Sequence, residues 1–161
     1  MSTQTIELYF GENHDRLDEL FRQFQMNKEI YFSKAKECFK AFKFGLERHI
    51  AVEEEILFPV FEEKTALWDT GPTVVMRSEH REIEKALEAI HKKVQKNDPG
   101  CDREETELIA LLKRHSRKEK NILYPLLDEL TEFEERNEIF KKIQDFPEEK
   151  HKTCCCQMKL D

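Results

Sequence analysis

An eleven-residue segment that recurs at a fixed spacing constrains this chain more than any other feature of its sequence. The segment HIAVEEEILFP begins at His49, and HSRKEKNILYP begins at His115. Both contain a histidine, a glutamate four residues later, Ile-Leu, an aromatic residue and a proline, and they lie 66 residues apart (115 minus 49). The same offset places His14 on His80, so the sequence predicts a duplicated helical hairpin with two related half-sites.

The spacing of apolar residues predicts an all-α fold. They recur three and four positions apart, as in Leu17, Leu20, Phe21 and Phe24, which is the period of a helix. Short connections make successive helices antiparallel, so we expect an up-down-up-down four-helix bundle with a short fifth C-terminal helix. The expected helices cover about 11–27, 30–64, 73–97, 102–129 and 131–145.

Phenylalanines and prolines supply two further expectations. Six of the twelve Phe have helical spacing and are predicted to lie in the core: Phe21, Phe24, Phe39, Phe42, Phe58 and Phe61. Pro59 and Pro125 lie inside segments that are expected to be helical, and each lacks the backbone N–H that would donate a hydrogen bond. Each is therefore expected to kink or tighten the C-terminal part of its long helix.

The length of 161 residues suits one compact domain, which we expect to cover 1–147, followed by a C-terminal tail at 148–161. The tail contains Cys154, Cys155 and Cys156, to which we assign no function. The five cysteines are odd in number and lack paired spacing, which indicates a reducing compartment. A cytoplasmic location is the expectation.

Charge and hydropathy exclude several classes of function. No apolar run approaches the roughly 20 residues of a membrane span, and the N-terminus has no secretory signal pattern. The net charge is −7, and basic residues alternate with acidic ones instead of clustering. We therefore expect neither a membrane nor nucleic acid as a partner.

Four histidines are followed by an acid four residues later, one on each expected long helix. The pairs are His14 with Asp18, His49 with Glu53, His80 with Glu84, and His115 with Glu119. Acids occupy 34 of 161 positions, so a single pair carries little weight. Residues at this spacing share one face of a helix, and four such pairs with matched offsets require a common cause.

A shared metal site would explain the four pairs. Burying imidazoles and carboxylates between helices costs several kcal/mol per group unless something pairs them, and metal ions do so. Such ligands on facing helices are typical of a dinuclear non-haem iron or manganese site. Ligand type alone does not distinguish iron from manganese.

The chain resembles the hemerythrin-like, histidine-histidine-glutamate cation-binding domain proteins over about residues 5–130. The most specific motifs are ENHDRLDEL, HIAVEEEILFP, MRSEHREIEKAL and HSRKEKNILYP. The resemblance implies an oxo- or hydroxo-bridged centre of two iron ions. It implies Glu53 and Glu119 as bridging carboxylates, and as terminal ligands His14, His49, His80 and His115.

One position departs from the oxygen-carrying members of that family. They have a fifth histidine four residues after the one on the third helix, where this chain has Glu84. An anionic ligand favours ferric iron, so we do not expect a reversible oxygen carrier. Glu84 is expected to be a seventh ligand, with a hydrogen-bonding role as the alternative. Asp18 is expected to orient an imidazole.

Three functions follow as hypotheses. The first is a di-iron protein that binds or senses dioxygen, nitric oxide or peroxide, with a protein partner for signal output or electron supply. The second is a di-iron enzyme, such as a peroxidase or nitric oxide reductase, or an iron donor in the repair of iron centres. The third is a helical interaction module without metal.

Overall fold

The structure, a computed structural model, describes residues 4–147, and within them it contains helices and no strand. The tail expected at 148–161, with its three cysteines, lies outside the described residues. Five continuous helical segments are present. They are α1 (Ile6–Asn27); α2 (Phe32–Val52) continued by a π-helical turn, π1 (Glu53–Leu57), and α3 (Phe58–Thr65); α4 (Pro72–Gln95); α5 (Asp102–Lys118) continued by π2 (Glu119–Leu123) and α6 (Tyr124–Leu130); and α7 (Phe133–Gln144).

The predicted helical bundle with a short fifth helix is confirmed. Helix α1 packs against α2, and α4 packs against α5, as two hairpins joined by short connections. Helix α7 packs against π1, and Arg48 Nη2 of α2 donates to the carbonyl oxygen of Ile143 in α7 at 2.8 Å. The fifth helix therefore supports one of the two π-turns from outside the bundle.

Helix α1 begins at Ile6, five residues before the predicted start (11 minus 6). Its first turn is capped twice. The Thr5 hydroxyl accepts from the backbone N–H of Leu8 at 3.1 Å. The carboxylate of Asp128 accepts from the N–H groups of Ile6 and Glu7 at 2.8 and 3.1 Å. Because Asp128 belongs to α6, local sequence could not reveal that cap.

Each of the two composite helices widens into a π-turn directly before its proline. The N–H of Phe58 donates to the carbonyl of Glu53, and that of Tyr124 donates to the carbonyl of Glu119, in both cases five residues back. Pro59 and Pro125 follow next, and each ring would collide with the carbonyl four residues back in a regular α-helix. The wider turn relieves that collision. The two helices therefore widen where we expected each proline to kink or tighten the helix.

All six phenylalanines predicted to lie in the core are buried. Phe21, Phe24, Phe39 and Phe42 belong to one apolar cluster, and Phe58 and Phe61 belong to a second. Burial of each ring contributes roughly 1.5–3 kcal/mol. The two clusters lie on either side of the polar side chains described next, and so they hold the four helices in place around them.

None of the described helices has both the length and the apolar character that a membrane span requires. Cys38 and Cys101 are free thiols.

Candidate metal centre

Six of the predicted ligands converge in the middle of the bundle, and each is at most 7% exposed. Their donor atoms form two groups that share Glu119, and within each group all atoms lie within 4.8 Å of one another. One group contains Glu53, His80, His115 and Glu119, and the other contains His14, His49 and Glu119. We call His14 and His49 half-site A, and His80 and His115 half-site B.

Each carboxylate directs one oxygen toward each half-site. Glu53 Oε1 lies 3.5 Å from His49 Nε2, and Glu53 Oε2 lies 3.1 Å from His80 Nε2. Glu119 Oε2 lies 3.0 Å from His14 Nε2, and Glu119 Oε1 lies 2.7 Å from His115 Nε2. Two carboxylates placed in this way can bridge two cations, one in each half-site.

The two carboxylates owe their position to the π-turns. Glu53 is the first residue of π1, and Glu119 is the first residue of π2. Each donates its N–H to the carbonyl of the histidine four residues before it, so the α-helical spacing of each His-Glu pair is kept up to this point. The helix widens only beyond the carboxylate, as π-turns commonly do at functional sites.

Three of the four imidazoles are oriented by an oxygen on their outer nitrogen. His49 Nδ1 lies 2.9 Å from Asn13 Oδ1. His80 Nδ1 lies 2.8 Å from Glu54 Oε1, and His115 Nδ1 lies 2.8 Å from Glu79 Oε2. These oxygens only accept, so each Nδ1 carries the hydrogen and each Nε2 can offer a lone pair to the centre.

The charges of the cluster favour a cation. Burial opposes protonation of His115, yet Glu119 and Glu53 outweigh it and raise its pKa to about 11. Burial likewise opposes ionisation of Glu119, yet His115, His14 and His49 hold its pKa well below the usual range. Two ionised carboxylates in a buried space require positive charge nearby, from protons or from metal ions.

The Glu119 carboxylate at the middle of the cluster is unsatisfied by hydrogen bonds. Both oxygens of Glu119 are buried and accept no hydrogen bond, although His115 and His14 lie close to them. The Nε2 atoms of His14 and His49 are 3.3 Å apart, and those of His80 and His115 are 2.9 Å apart. Converging nitrogens beside an unsatisfied carboxylate suit cation ligands better than a hydrogen-bonded core.

Tyr124 is a residue of this site that sequence reasoning missed. Its hydroxyl donates to Glu53 Oε1 at 2.7 Å and lies 3.3 Å from His14 Nε2. Burial first, and then the charges of Glu119 and Glu53, raise the pKa of Tyr124 well above 10, so the phenol stays a donor. The repeat contained the signal, since Tyr124 stands where the first copy has Phe58.

A small cavity of about 30 Å³ lies beside the cluster, and Tyr124 is not among its lining residues. Its polar end includes His14, His49 and His115, and its other walls include apolar side chains such as Phe42 and Ile83. A volume of this size holds a molecule about as large as water. The cavity therefore limits what can reach the cluster from within the bundle.

The structure does not bring the two remaining predicted acids into either ligand group. Glu84 is 39% exposed and pairs with Arg81 Nη1 at 3.0 Å. Asp18 lines the small cavity next to His14, and burial, which outweighs the attraction of His14, raises its pKa. Among the described residues, no hydrogen bond joins Asp18 to a histidine, so its expected role of orienting an imidazole stays a prediction.

Comparison with known proteins adds two findings. A family model described as "Hemerythrin HHE cation binding domain" matches residues 9–127. The chain is also similar to "Iron-sulfur cluster repair protein YtfE" of Enterobacter sp. (strain 638), with 29% identity over 132 residues. That match covers 73% of this chain and 60% of the relative, so the chain spans less than two thirds of that protein's length. No solved structure matches.

Proposed function

Because the chain belongs to the hemerythrin HHE cation binding domain family, we propose that its six convergent side chains hold two iron ions that bind a small ligand. Glu53 and Glu119 would bridge the ions. His14 and His49 would complete one coordination sphere, and His80 and His115 the other. The observation that carries this proposal is that each carboxylate directs one oxygen toward each pair of imidazoles.

The side chains present fit such a pair of ions. The unsatisfied buried oxygens of Glu119 gain partners when cations lie beside them. Three outer nitrogens are already held by oxygens, so three of the rings need no reorganisation to bind. Imidazole and carboxylate ligands suit iron, and manganese remains the alternative on ligand type.

When bound, a ferrous pair would supply electrons and open coordination positions for a small ligand. The protein itself would select the ligand by its size and would protect it from bulk water. The cavity of about 30 Å³ admits a ligand of a few atoms, such as dioxygen, nitric oxide or peroxide. Leu46, Ile50 and Leu112 are among its walls and keep bulk water from that ligand. Tyr124 holds a proton close to Glu53 and His14.

A second candidate is an iron donor in the repair of iron centres. It is favoured by the similarity to a protein whose name describes iron-sulfur cluster repair. A di-iron enzyme, such as a peroxidase or nitric oxide reductase, would use the same centre. Titration of the reduced protein with nitric oxide or peroxide separates a binder, which saturates, from an enzyme, which consumes excess ligand. A donor is identified by incubating the iron-loaded protein with an apoprotein, because the iron then moves to that apoprotein.

The test of the centre is iron content per chain by elemental analysis after anaerobic reconstitution. We expect two ions in the wild type and a large loss in the double variant Glu53→Ala, Glu119→Ala. Glu84→Ala is the matched control, because it removes a carboxylate that lies outside both groups. It also tests the seventh-ligand hypothesis, since an unchanged content and spectrum in this variant would exclude Glu84 from coordination.

A wild type that takes up no iron or manganese would contradict the proposal and favour the metal-free interaction module. His49→Leu gives an independent readout by thermal unfolding. In a metal-free module this change would leave stability unchanged or raise it, because a buried polar group is lost. In a metal centre, it would abolish the stabilisation that added iron confers on the wild type.

A further inference from the structure

The two half-sites differ in what holds the outer nitrogens of their imidazoles. In half-site B both Nδ1 atoms face carboxylates, Glu54 for His80 and Glu79 for His115. In half-site A, His49 faces the neutral amide of Asn13. The Nδ1 of His14 is buried and has no hydrogen-bond partner. Half-site A is thus supported by one neutral acceptor, and half-site B by two anionic ones.

The 66-residue duplication shows where this difference arises. Glu79 stands at the position of Asn13 (13 plus 66), and Lys120 stands at the position of Glu54 (54 plus 66). A lysine ammonium has no lone pair and cannot accept from His14. The acceptors of half-site B are themselves held by cations, Arg81 on Glu54 and Lys118 on Glu79.

Support of this kind changes metal affinity. An anionic acceptor on Nδ1 raises the basicity of the other nitrogen and fixes the ring, and its loss typically weakens metal binding about 10- to 100-fold. Half-site B has two such acceptors and half-site A has none. The same two carboxylates would bridge both ions, so the outer acceptors are a difference between the half-sites that should separate the two affinities.

A groove reaches half-site A from the surface. It has a volume of about 590 Å³ and lies between α1 and α5, and among the six convergent ligands only His14 lines it. Its charged lining residues are Asp18 together with Lys113, Arg117 and Lys120. All three cations are exposed on a chain of net charge −7, so the groove is a local positive site that attracts small anions.

We propose that half-site B retains its iron ion, whereas half-site A exchanges its ion through this groove with a small anionic chelator of the polycarboxylate class. The inference rests on the proposed function, because it requires two bound ions. In the exchange, the ion in half-site A would leave the imidazoles of His14 and His49 and one oxygen each of Glu53 and Glu119, and it would bind the carboxylate oxygens of the chelator. No electron is transferred, and the oxidation state of the ion is unchanged.

The test follows loss of iron from the loaded protein in excess chelator under anaerobic conditions. EDTA serves as the anionic probe, and 2,2′-bipyridine as the neutral one. We expect two phases of one ion each, with rates about tenfold or more apart. The fast phase with EDTA should slow as salt is added, and that with bipyridine should not, because salt screens the attraction of the groove for anions.

Variants assign the phases to the half-sites. Lys120→Glu places an acceptor at the position that matches Glu54, so it should slow the fast phase with either chelator. Lys113→Glu is the matched control, since it makes the same charge change in the groove and should slow only the removal by EDTA. Glu54→Lys should make the second ion leave quickly as well. Glu54→Gln retains an oxygen acceptor and should change the slow phase less.

The outcomes separate the two proposals. Wild type without bound iron would overturn both. Two ions that leave at one rate, or a slow phase that Glu54→Lys does not change, would overturn this inference and leave the di-iron centre intact. A purely structural effect of Glu54→Lys would lower the melting temperature of the iron-stripped protein, so the melting of each stripped variant is measured beside its release kinetics.

Discussion

Half-site A and half-site B come from equivalent positions of the two hairpins, yet their surroundings have diverged. Both keep two imidazoles and share the same two carboxylates. Around His80, Phe58 stacks on the ring at a centroid distance of 5.5 Å, and Arg77 Cζ lies 5.1 Å from the centroid of the Phe58 ring. The surroundings of half-site B therefore include a stacked aromatic ring and a guanidinium group.

Half-site A has a different wall. Tyr124 replaces Phe58 and stacks on Phe10 at 5.0 Å, and Gly11 stands at the position of Arg77 (11 plus 66). The groove opens at His14 on this half. The histidines thus occupy equivalent positions in both hairpins, whereas the residues around them differ and leave a groove at half-site A.

The largest expected effect comes from removing one imidazole in each half. His80→Ala should remove the tightly held ion, lower total iron to one ion or less and weaken the remaining site, because Glu53 loses a neighbour. His14→Ala should leave the ion of half-site B in place. An ion at 100 times its Kd adds about 2.7 kcal/mol to stability, so unfolding of the loaded variants also separates them. Equal iron content and equal stability of the two variants would contradict the prediction that half-site B binds its ion more tightly than half-site A.

The outer acceptors give the next effect. Glu79→Leu should weaken iron binding about 10- to 100-fold, because His115 loses an anionic partner. Asn13→Leu, at the equivalent position of half-site A, should have a smaller effect because a neutral acceptor is lost. Competition with a coloured chelator measures both affinities. An effect of Asn13→Leu as large as that of Glu79→Leu would show that acceptor charge is not what distinguishes the halves.

The hydroxyl of Tyr124 should account for a smaller difference. Tyr124→Phe makes the two aromatic positions alike and removes the donor to Glu53 Oε1, which should cost about 1–2 kcal/mol in the iron-stripped protein. Urea unfolding measures the change. Tyr31→Phe is the control, because Tyr31 is 59% exposed. Matching stabilities for these two variants would mean that the buried hydrogen bond contributes no net stability.

The smallest expected effect concerns Gly11. A Cβ at this helical position would meet no other atom within 4 Å, so Gly11→Ala should stabilise the protein by about 0.5–1 kcal/mol through backbone entropy. Gly45→Ala is the comparison, since its Cβ would lie 2.6 Å from Leu17 Cδ2 and force that side chain to move. Thermal unfolding should rank Gly11→Ala above wild type, and a destabilised Gly11→Ala would show that half-site A requires the bare backbone.

Local sequence was sufficient to select the six side chains that converge. Positions four apart on a helix differ by about 40° around the axis, so each pair such as His49 and Glu53 must share a face. The 66-residue repeat then pointed to the equivalent pair in the other hairpin. The same rule was not sufficient for Glu84, which has this spacing from His80 but pairs with Arg81 near the surface. Because several side chains share one face of a helix, their spacing alone does not show which of them points toward the bundle axis.

Long-range partners account for what local sequence could not supply. Asn13, Glu54 and Glu79 each hold a histidine that is 26 to 36 residues away, and Tyr124 reaches Glu53 across 71 residues. No spacing rule links such residues, because their separation depends on how the helices pack. Their only signal in the sequence is that the two copies of the repeat differ at these positions. Asn13 corresponds to Glu79, Glu54 to Lys120, and Phe58 to Tyr124.

The sequence by itself determined the helical period, the duplication and the chemistry of the ligands, because these depend on residue type and on spacing within one helix. The tertiary structure decided which donors face one another, which imidazoles have an outer acceptor and which half-site opens to a groove. Those properties arise only when α1, α4 and the two composite helices pack together. Packing thus placed residues that differ between the two copies of the repeat around equivalent histidines, and so made the two half-sites unequal.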